Sequence, residues 1–358
     1  MKVLSLFDGV SCARVALDRA GIPVEKYYAS EIDKYAIDIS GRNWSEIEHI
    51  GGVENVYFSE DAGFDLLIGG SPCQDLSIAG KRKGLAGDRS GLFYEYVRIL
   101  RETKPRYFVL ENVASMSKES RDIITRELGV EPIMIDASLV SGQQRKRLFW
   151  TNIPGVTLPE DRGIMLKDVL QGGEVDRDKS YCIDASYYKG ANWVQYKDRK
   201  RRQLVKVGYL GTKDSQANRI YLPDGKSVAL SALGGGGGAK TGLYLIVPEA
   251  TKKGYAVAEP GDSVDLSYMN SKTRRGRVGK KAKNLMASNN SIAVFKGEDA
   301  NGEFIVRKLT PIECERLQGL PDGYTQGVSN TQRYKALGNA FNADVIAHIL
   351  SFIPNKGE

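Results

Sequence analysis

Lys2-Val3-Leu4-Ser5-Leu6-Phe7-Asp8-Gly9-Val10-Ser11 is the stretch that decides how the fold reads. An apolar run ends at Phe7, turns through Asp8-Gly9, and passes into Ser11–Ala20, where Cys12, Val15, Ala16 and Leu17 recur at helical spacing. The run meets Asp8 and Gly9 too soon for a signal peptide, so it reads as a buried first strand. Lys26–Ser30 is a second strand, closed by Glu31 about 20 residues after the turn. Strand, glycine turn, helix, strand and acid make a nucleoside-cofactor pattern. A glycine there permits close backbone approach, and a helix N-terminus favours polar or anionic ligand groups.

The same alternation continues outward. A helix follows from about Asp33, then strand Phe64–Ile68 ending in Gly69-Gly70, helix Gly91–Arg101, and strands Tyr107–Leu110, Glu131–Asp136 and Arg147–Trp150. Repeated βα units predict an α/β, Rossmann-like, mostly parallel sheet with helices on both faces. After about Pro154 the pattern breaks. Residues 160–305 are rich in Gly, Lys, Tyr and Asn, with short strand-like pieces at Gly242–Val247 and Ser291–Phe295 and five consecutive glycines at Gly234–Gly238. Helical pattern returns at Thr310–Gln318, with Thr310 as N-cap and Pro311 in the first position, and at Ala340–Ile353. The expected organisation is a discontinuous domain over 1–155 and 306–358, interrupted by a smaller β- and loop-rich domain over 156–305.

Charge separates the two. Residues 161–300 hold 25 Lys and Arg against 15 Asp and Glu, while the rest of the chain holds 26 against 29. A basic segment beside a near-neutral one points to a polyanion, most readily nucleic acid. Hydrophobic residues are 41% of the chain, enough for a substantial core, yet no apolar run approaches the roughly 20 residues of a membrane span. Cys12, Cys73, Cys182 and Cys314 have no paired spacing, which argues against a disulfide framework or a zinc site and fits a reducing cytoplasm. With His49 and His348 as the only histidines, chemistry built on a Ser-His or Cys-His pair is poorly supplied.

Three segments carry chemistry-bearing residues. Gly70-Ser71-Pro72-Cys73-Gln74 follows a buried strand, so Cys73 falls at the carboxyl end of the sheet, where open α/β folds bind ligands. It reads equally as a structural thiol in a turn. The polar, Gly-rich stretch Gln74–Ser90 carries Lys81, Arg82, Lys83 and Arg89 and suits a loop closing over phosphates. Glu111-Asn112-Val113 also ends a strand. An acid there can be desolvated and donate a proton, or simply cap a helix. Gln143, Arg145 and Arg147 alternate, which puts all three on one face of an extended segment, as a guanidinium site or as a basic edge strand.

In this order the segments resemble the cytosine-C5 DNA methyltransferase family. Pro72-Cys73-Gln74, Glu111-Asn112-Val113 and Gln143-x-Arg145-x-Arg147 match its catalytic motifs. Arg307-Lys308-Leu309-Thr310-Pro311 with Glu313, Arg316, Leu317, Gln318, Gly319 and Pro321 matches the motif after its target-recognition region, and Leu337-Gly338-Asn339 its last. The resemblance covers about 1–155 and 305–355. Leu4–Gly9, Ala29-Ser30-Glu31, Gly69–Ser77 and Phe149–Gly155 look most like the vertebrate de novo methyltransferases. Because the chain starts directly at the cofactor motif, a bacterial or phage enzyme, of the kind found in restriction-modification, is expected.

The resemblance implies S-adenosyl-L-methionine as cofactor, double-stranded DNA as substrate, no metal and no membrane. It implies a cytoplasmic monomer with no obligatory protein partner. Cys73 would attack C6 of a flipped-out cytosine, Glu111 would bond N3 and the exocyclic amine, Arg147 would contact O2, and Arg145 would help hold the pocket. Phe7 would stack on adenine, Gly9 would allow close approach and Glu31 would bind the ribose. Asp8, Ile32, Pro72, Leu92, Asn339 and Phe341 are further cofactor candidates, although Phe7 and Leu92 also suit a core. Gln74, Ser77, Lys81, Arg82, Lys83, Gln143 and Arg219 are the candidate DNA contacts. The basic runs Lys197–Arg202 and Lys272–Lys283 suit phosphates or a solvated face.

Two departures stand out. The family's first motif usually reads Phe-x-Gly-x-Gly, and Ser11 replaces the second glycine; an acid often contacts the adenine amino group near Gly51-Gly52-Val53, and that position is Gly52. Competing readings are cytosine methylation in tRNA, which the large basic insertion disfavours, and an inactive DNA-binding protein, which the intact Cys73, Glu111 and arginine pair disfavour.

Overall fold

The computed structural model describes residues 1–71, 92–189, 196, 199–210 and 302–354, with short strands at 245–248, 255–258, 263–265, 278–279, 291–293 and 297–299. Its first half is built on β1 (Lys2–Leu6), β2 (Lys26–Ser30), β3 (Glu48–Gly51), β4 (Leu66–Gly69), β5 (Tyr107–Val113), β6 (Ile133–Asp136) and β7 (Lys146–Thr151). They form one sheet in the order β3-β2-β1-β4-β5-β7-β6. Pairing is parallel throughout except at β7, which runs antiparallel to both β5 and β6. The chain leaves β1 toward β2 on one side and returns to β4 on the other. The carboxyl ends of β1 and β4 therefore border the crevice where such sheets bind ligands.

Period-2 alternation explains the two cores. Val3, Ala29, Ile68, Val109 and Phe149 face one cluster; Leu4, Leu6, Leu67, Leu110 and Trp150 face the other. The first is covered by α1 (Cys12–Arg19), α2 (Lys34–Asn43) and the C-terminal helices; the second by α3 (Leu92–Thr103) and α4 (Lys118–Leu128). Phe93, Tyr96, Val97 and Ile99 of α3 are buried, each contributing about 1.5–3 kcal/mol relative to exposure. Asp33 caps α2 by accepting from the Tyr35 amide at 2.9 Å, and Ser117 caps α4 by accepting from Ser120.

The sequence reading missed β3 and α4, whose apolar positions are few. It also missed the helix Asn330–Asn339, here α6. Before it, α5 (Pro311–Leu317) opens with the expected Thr310 cap, completed by Glu313 accepting from the Thr310 amide at 2.8 Å. The last helix, α7 (Ala343–Leu350), is shorter than the expected Ala340–Ile353 because Asn342 caps it, and it packs on α1.

The interrupting region is antiparallel where described. β8 (Leu204–Leu210) pairs with β15 (Gly302–Lys308), which pairs with β14 (Gly297–Asp299). β9 (Leu245–Pro248) pairs with β10 (Tyr255–Ala258). β11 (Ser263–Asp265) lies between β12 (Val278–Gly279) and β13 (Ser291–Ala293). Leu166, Val169, Ile183 and Tyr187, assigned by composition to this region, sit in the first core cluster with Leu309 and Leu317. Among the described residues, no helix is long and apolar enough to cross a membrane.

Candidate active site

The carboxyl edge carries two groups of residues. On the β4–β5–β7 side, Arg147 Nε donates to Glu111 Oε1 at 2.8 Å, with side chains 17% and 13% exposed. The pair opens into a small cleft that Arg145, Phe149, Phe341 and Val345 also line. Gly70 lies close against two of these residues. A Cβ there would lie 2.6 Å from Phe341 Cε1 and 3.2 Å from Glu111 Oε2, so the bare backbone is what lets this strand end approach both. Asn112 Nδ2 donates to Ser71 Oγ at 3.1 Å and fixes the residue that leads into Pro72-Cys73. Sequence reasoning had named Asn112 only as part of a motif. Pro72, Cys73, Gln74, Ser77, Lys81, Arg82, Lys83 and Arg219 lie outside the described residues.

Arg145 is buried and works as a strut. Its Nη1 donates to Ile183 O at 3.1 Å and to Cys182 Sγ at 3.3 Å; its Nη2 donates to Ala340 O at 2.8 Å and Gly338 O at 3.3 Å. Burial, with Arg147 alongside, lowers its pKa from the usual guanidinium value, and these acceptors offset that penalty. Gly338 lets the two segments meet, because a Cβ there would come within 2.2 Å of the Ala185 amide nitrogen. Asp184, next to Ile183, pairs with Arg201 at 2.8 Å, which ties the basic run to the same strut.

Gln143 differs from expectation. It precedes β7, is fully buried, and donates to Leu317 O at 2.7 Å and Gln318 Oε1 at 3.0 Å. It does share a face with Arg145, since both meet Ile183: Gln143 Oε1 accepts from the Ile183 amide at 3.3 Å, and Arg145 donates to Ile183 O. It joins α5 to the sheet edge rather than facing a nucleic acid.

On the β1–β2 side the donors are mostly backbone. Glu31 Oε2 accepts from the Gly9 amide, and Oε1 from the Ile32 and Asp33 amides, each at 2.8 Å. Ile32 beside it is 78% exposed. Gly9 has φ +62° and nothing within 4 Å of where a Cβ would be, so space is open above the turn. Phe7 is half-buried against the second core, as is Leu92 at the start of α3. Asn339 is exposed at the end of α6, and Lys335 on that helix pairs with Asp33 at 2.6 Å, which brings α6 to this side. An oriented carboxylate, an exposed aliphatic side chain and open space above a glycine together suit a nucleoside.

Asp8, expected among the cofactor contacts, turns inward. It is buried and accepts from Tyr27 Oη at 2.7 Å and from the Ser11 hydroxyl. Burial pushes its pKa up, against the lowering effect of those bonds. Ser11 has φ 60°, ψ 39°, a left-handed conformation that costs about 1–2 kcal/mol for a residue with a Cβ. At the other departure, Glu54 folds back so that its Oε1 lies 2.6 Å from where a Gly52 Cβ would be. An acid thus fills the side-chain space of residue 52 from two positions further on. Among the described residues, no group of His, Cys, Asp and Glu could hold a metal ion.

A seven-stranded sheet in this order, one reversed strand, and a site along the carboxyl edge define a class I methyltransferase fold. The chain belongs to the C-5 cytosine-specific DNA methylase family, whose model matches residues 1–355, and so to the enzymes that methylate cytosine at carbon 5 in DNA, usually from S-adenosylmethionine. It is similar to the type II methyltransferase M.HhaI of Haemophilus parahaemolyticus, 27% identical over 98% of this chain and 93% of that one. It is similar also to the orphan methyltransferase M.SPRI of Bacillus phage SPR, 26% identical over 98% and 96%. Among solved structures, Entamoeba histolytica EhMeth shares the fold with a TM-score of 0.56 at 16% identity, covering 99% of this chain and 97% of that one. Spodoptera frugiperda DNMT2 does so at 0.54 and 15%, covering 98% and 99%.

Proposed function

We propose that the chain methylates C5 of a cytosine flipped out of duplex DNA, through a reversible bond between Cys73 and C6 of the base. The observation that carries this reading is the Glu111–Arg147 pair at a cleft, with Gly70, three residues before Cys73 in the sequence, packed close to Glu111. Carbon 5 of cytosine is a weak nucleophile. Addition of the Cys73 thiolate to C6 turns C5 into an enamine carbon, and the ring electrons are relieved by protonation at N3. Glu111, protonated from solvent as Arg147 leaves it, bonds N3 and the exocyclic amine and delivers that proton. Arg147 leaves Glu111 to meet O2, so the ion pair is exchanged for two bonds to the base. Extrusion of the base costs a few kcal/mol.

S-adenosylmethionine, when bound, supplies an electrophilic methyl group for C5. Glu31 would hold its ribose, Phe7 and Ile32 its adenine face, and Glu54 the adenine amino group, in the space left by Gly52. Gly9 leaves room above the turn. After methylation, water or a side chain removes the C5 proton and the thiolate departs from C6. The run around Arg199–Arg202 and the basic stretch 74–90 would grip phosphates, which position the duplex without reading it. The chain would act as a monomer, since both sides of the edge come from one copy.

The test is covalent trapping. Fluorine at C5 replaces the proton whose removal frees the enzyme, so a duplex containing 5-fluorocytosine at the recognition site should give a denaturant-stable adduct in the presence of S-adenosylmethionine. The adduct should vanish in Cys73→Ser. Intact DNA binding with no adduct in the wild-type protein would leave an inactive binding protein instead.

A further inference from the structure

Ser11 occupies a left-handed position without being glycine, and its hydroxyl does not cap α1. It is bonded elsewhere. Ser11 Oγ donates to Asp8 Oδ2 and lies 2.6 Å from Ser40 Oγ, in the middle of α2. A hydroxyl has one proton, so Ser11, having given its own to Asp8, accepts from Ser40. Tyr27 Oη donates to the other oxygen of Asp8 at 2.7 Å. Ser11, Ser40, Asp8 and Tyr27 are all buried, and the bonds run in one direction from Ser40 through Ser11 to Asp8.

We propose that Ser40, a residue of no motif, is a positioning residue for the cofactor: with Asp8 it holds Ser11, and through Ser11 the turn Phe7–Ser11, in the backbone conformation that receives S-adenosylmethionine. The inference rests on the reading that this turn is part of the cofactor site. The physical argument is substitution of constraint for freedom. Glycine reaches φ near +60° without strain; serine does so only if something holds it there. Two buried hydrogen bonds on one hydroxyl supply that hold. Because the hydroxyl faces inward, α1 has no side-chain cap, and Ser11 holds the helix start through its carbonyl, which accepts from the Arg14 amide at 3.0 Å.

The argument fixes an order among variants. Ser11→Ala keeps the Cβ and loses both bonds, whereas Ser11→Gly loses the bonds and the strain together. Calorimetric titration with S-adenosylmethionine, without DNA, should show Ser11→Ala weakened by tenfold or more and Ser11→Gly within about threefold of wild type. Ser40→Ala should weaken binding about threefold in the wild-type background and not at all on top of Ser11→Gly. Duplex DNA affinity, unchanged in each, shows that the variants fold. Ser11→Ala binding like wild type overturns the inference. So does Ser11→Gly binding as poorly as Ser11→Ala, which would make the hydroxyl itself the contact. Glu31→Ala separates the two levels: if it weakens binding while the Ser11 variants stay alike, the cofactor site stands and the Ser40 role falls. If Glu31→Ala binds like wild type, the cofactor site falls and the Ser40 role with it.

Discussion

The two ends of the carboxyl edge are held by different forces. At the β1–β2 end, backbone amides meet one carboxylate and buried hydroxyls meet another, all within residues 8–40. At the β5–β7 end, a glutamate and an arginine pair directly on the wall of a cleft, with Gly70 and Phe341 brought to Glu111 from strands and turns far apart in sequence. Hydrogen-bonded dipoles in the core are satisfied once and have little to gain by moving. A largely buried charge pair can exchange its partner only for a ligand that meets both charges with bonds of its own. One end is built to stay, the other to be swapped.

That contrast is most easily broken at Glu111. Glu111→Ala should lower kcat by about 10²–10⁴, the usual range for loss of a positioned proton donor. Thermal stability should fall as well, because Arg147, 17% exposed, loses its carboxylate partner. A variant with near wild-type turnover would show that the acid is only Arg147's counterion.

Arg145 sharpens the distinction, since it lies beside Arg147 and belongs to the other kind. Its partners are the carbonyls of Ile183, Gly338 and Ala340 and the Cys182 thiol. Arg145→Ala leaves these buried acceptors without a donor, at about 1–3 kcal/mol for each left unpaired. A loss of about 3 kcal/mol in denaturant unfolding is expected, larger than for Arg147→Ala. Equal losses for the two arginines would erase the division between strut and ligand contact.

The sequence made the β1–β2 end legible because its parts are local. Strand, turn, helix and Glu31 follow one another, and the boundaries of β2 are those read from its apolar run. The other end became legible only through motif resemblance, since no periodicity says that Gly70, Glu111, Arg147 and Phe341 meet. Gln143 shows how far pattern reaches: alternation put it on a face with Arg145, and both do meet Ile183, but nothing in the spacing says that α5 closes over that face. Glu54 and Ser40 could not have been found by pattern. Each matters through the space or strain left by another residue, Gly52 for one and Ser11 for the other, and that is visible only in coordinates.

The smallest effect tests whether the fixed end carries a charge. Burial raises the Asp8 pKa above 3.8, with the bonds from Ser11 and Tyr27 opposing it and the Glu31 carboxylate adding to it. Between the unfolded value and that raised value, the folded protein therefore holds more protons than the unfolded chain. Stability is then greatest below the unfolded value and falls as pH rises through the folded one, by at most about 1.4 kcal/mol per pH unit, before levelling. Asp8→Asn cannot titrate, so the wild-type minus Asp8→Asn difference in urea unfolding should decline with rising pH from about 4 and then flatten. A difference that climbs with pH would mean that Tyr27 and Ser11 stabilise the carboxylate more than burial disfavours it. The end built to stay would then rest on a buried ion, and its contrast with the Glu111–Arg147 cleft would be one of solvent access alone.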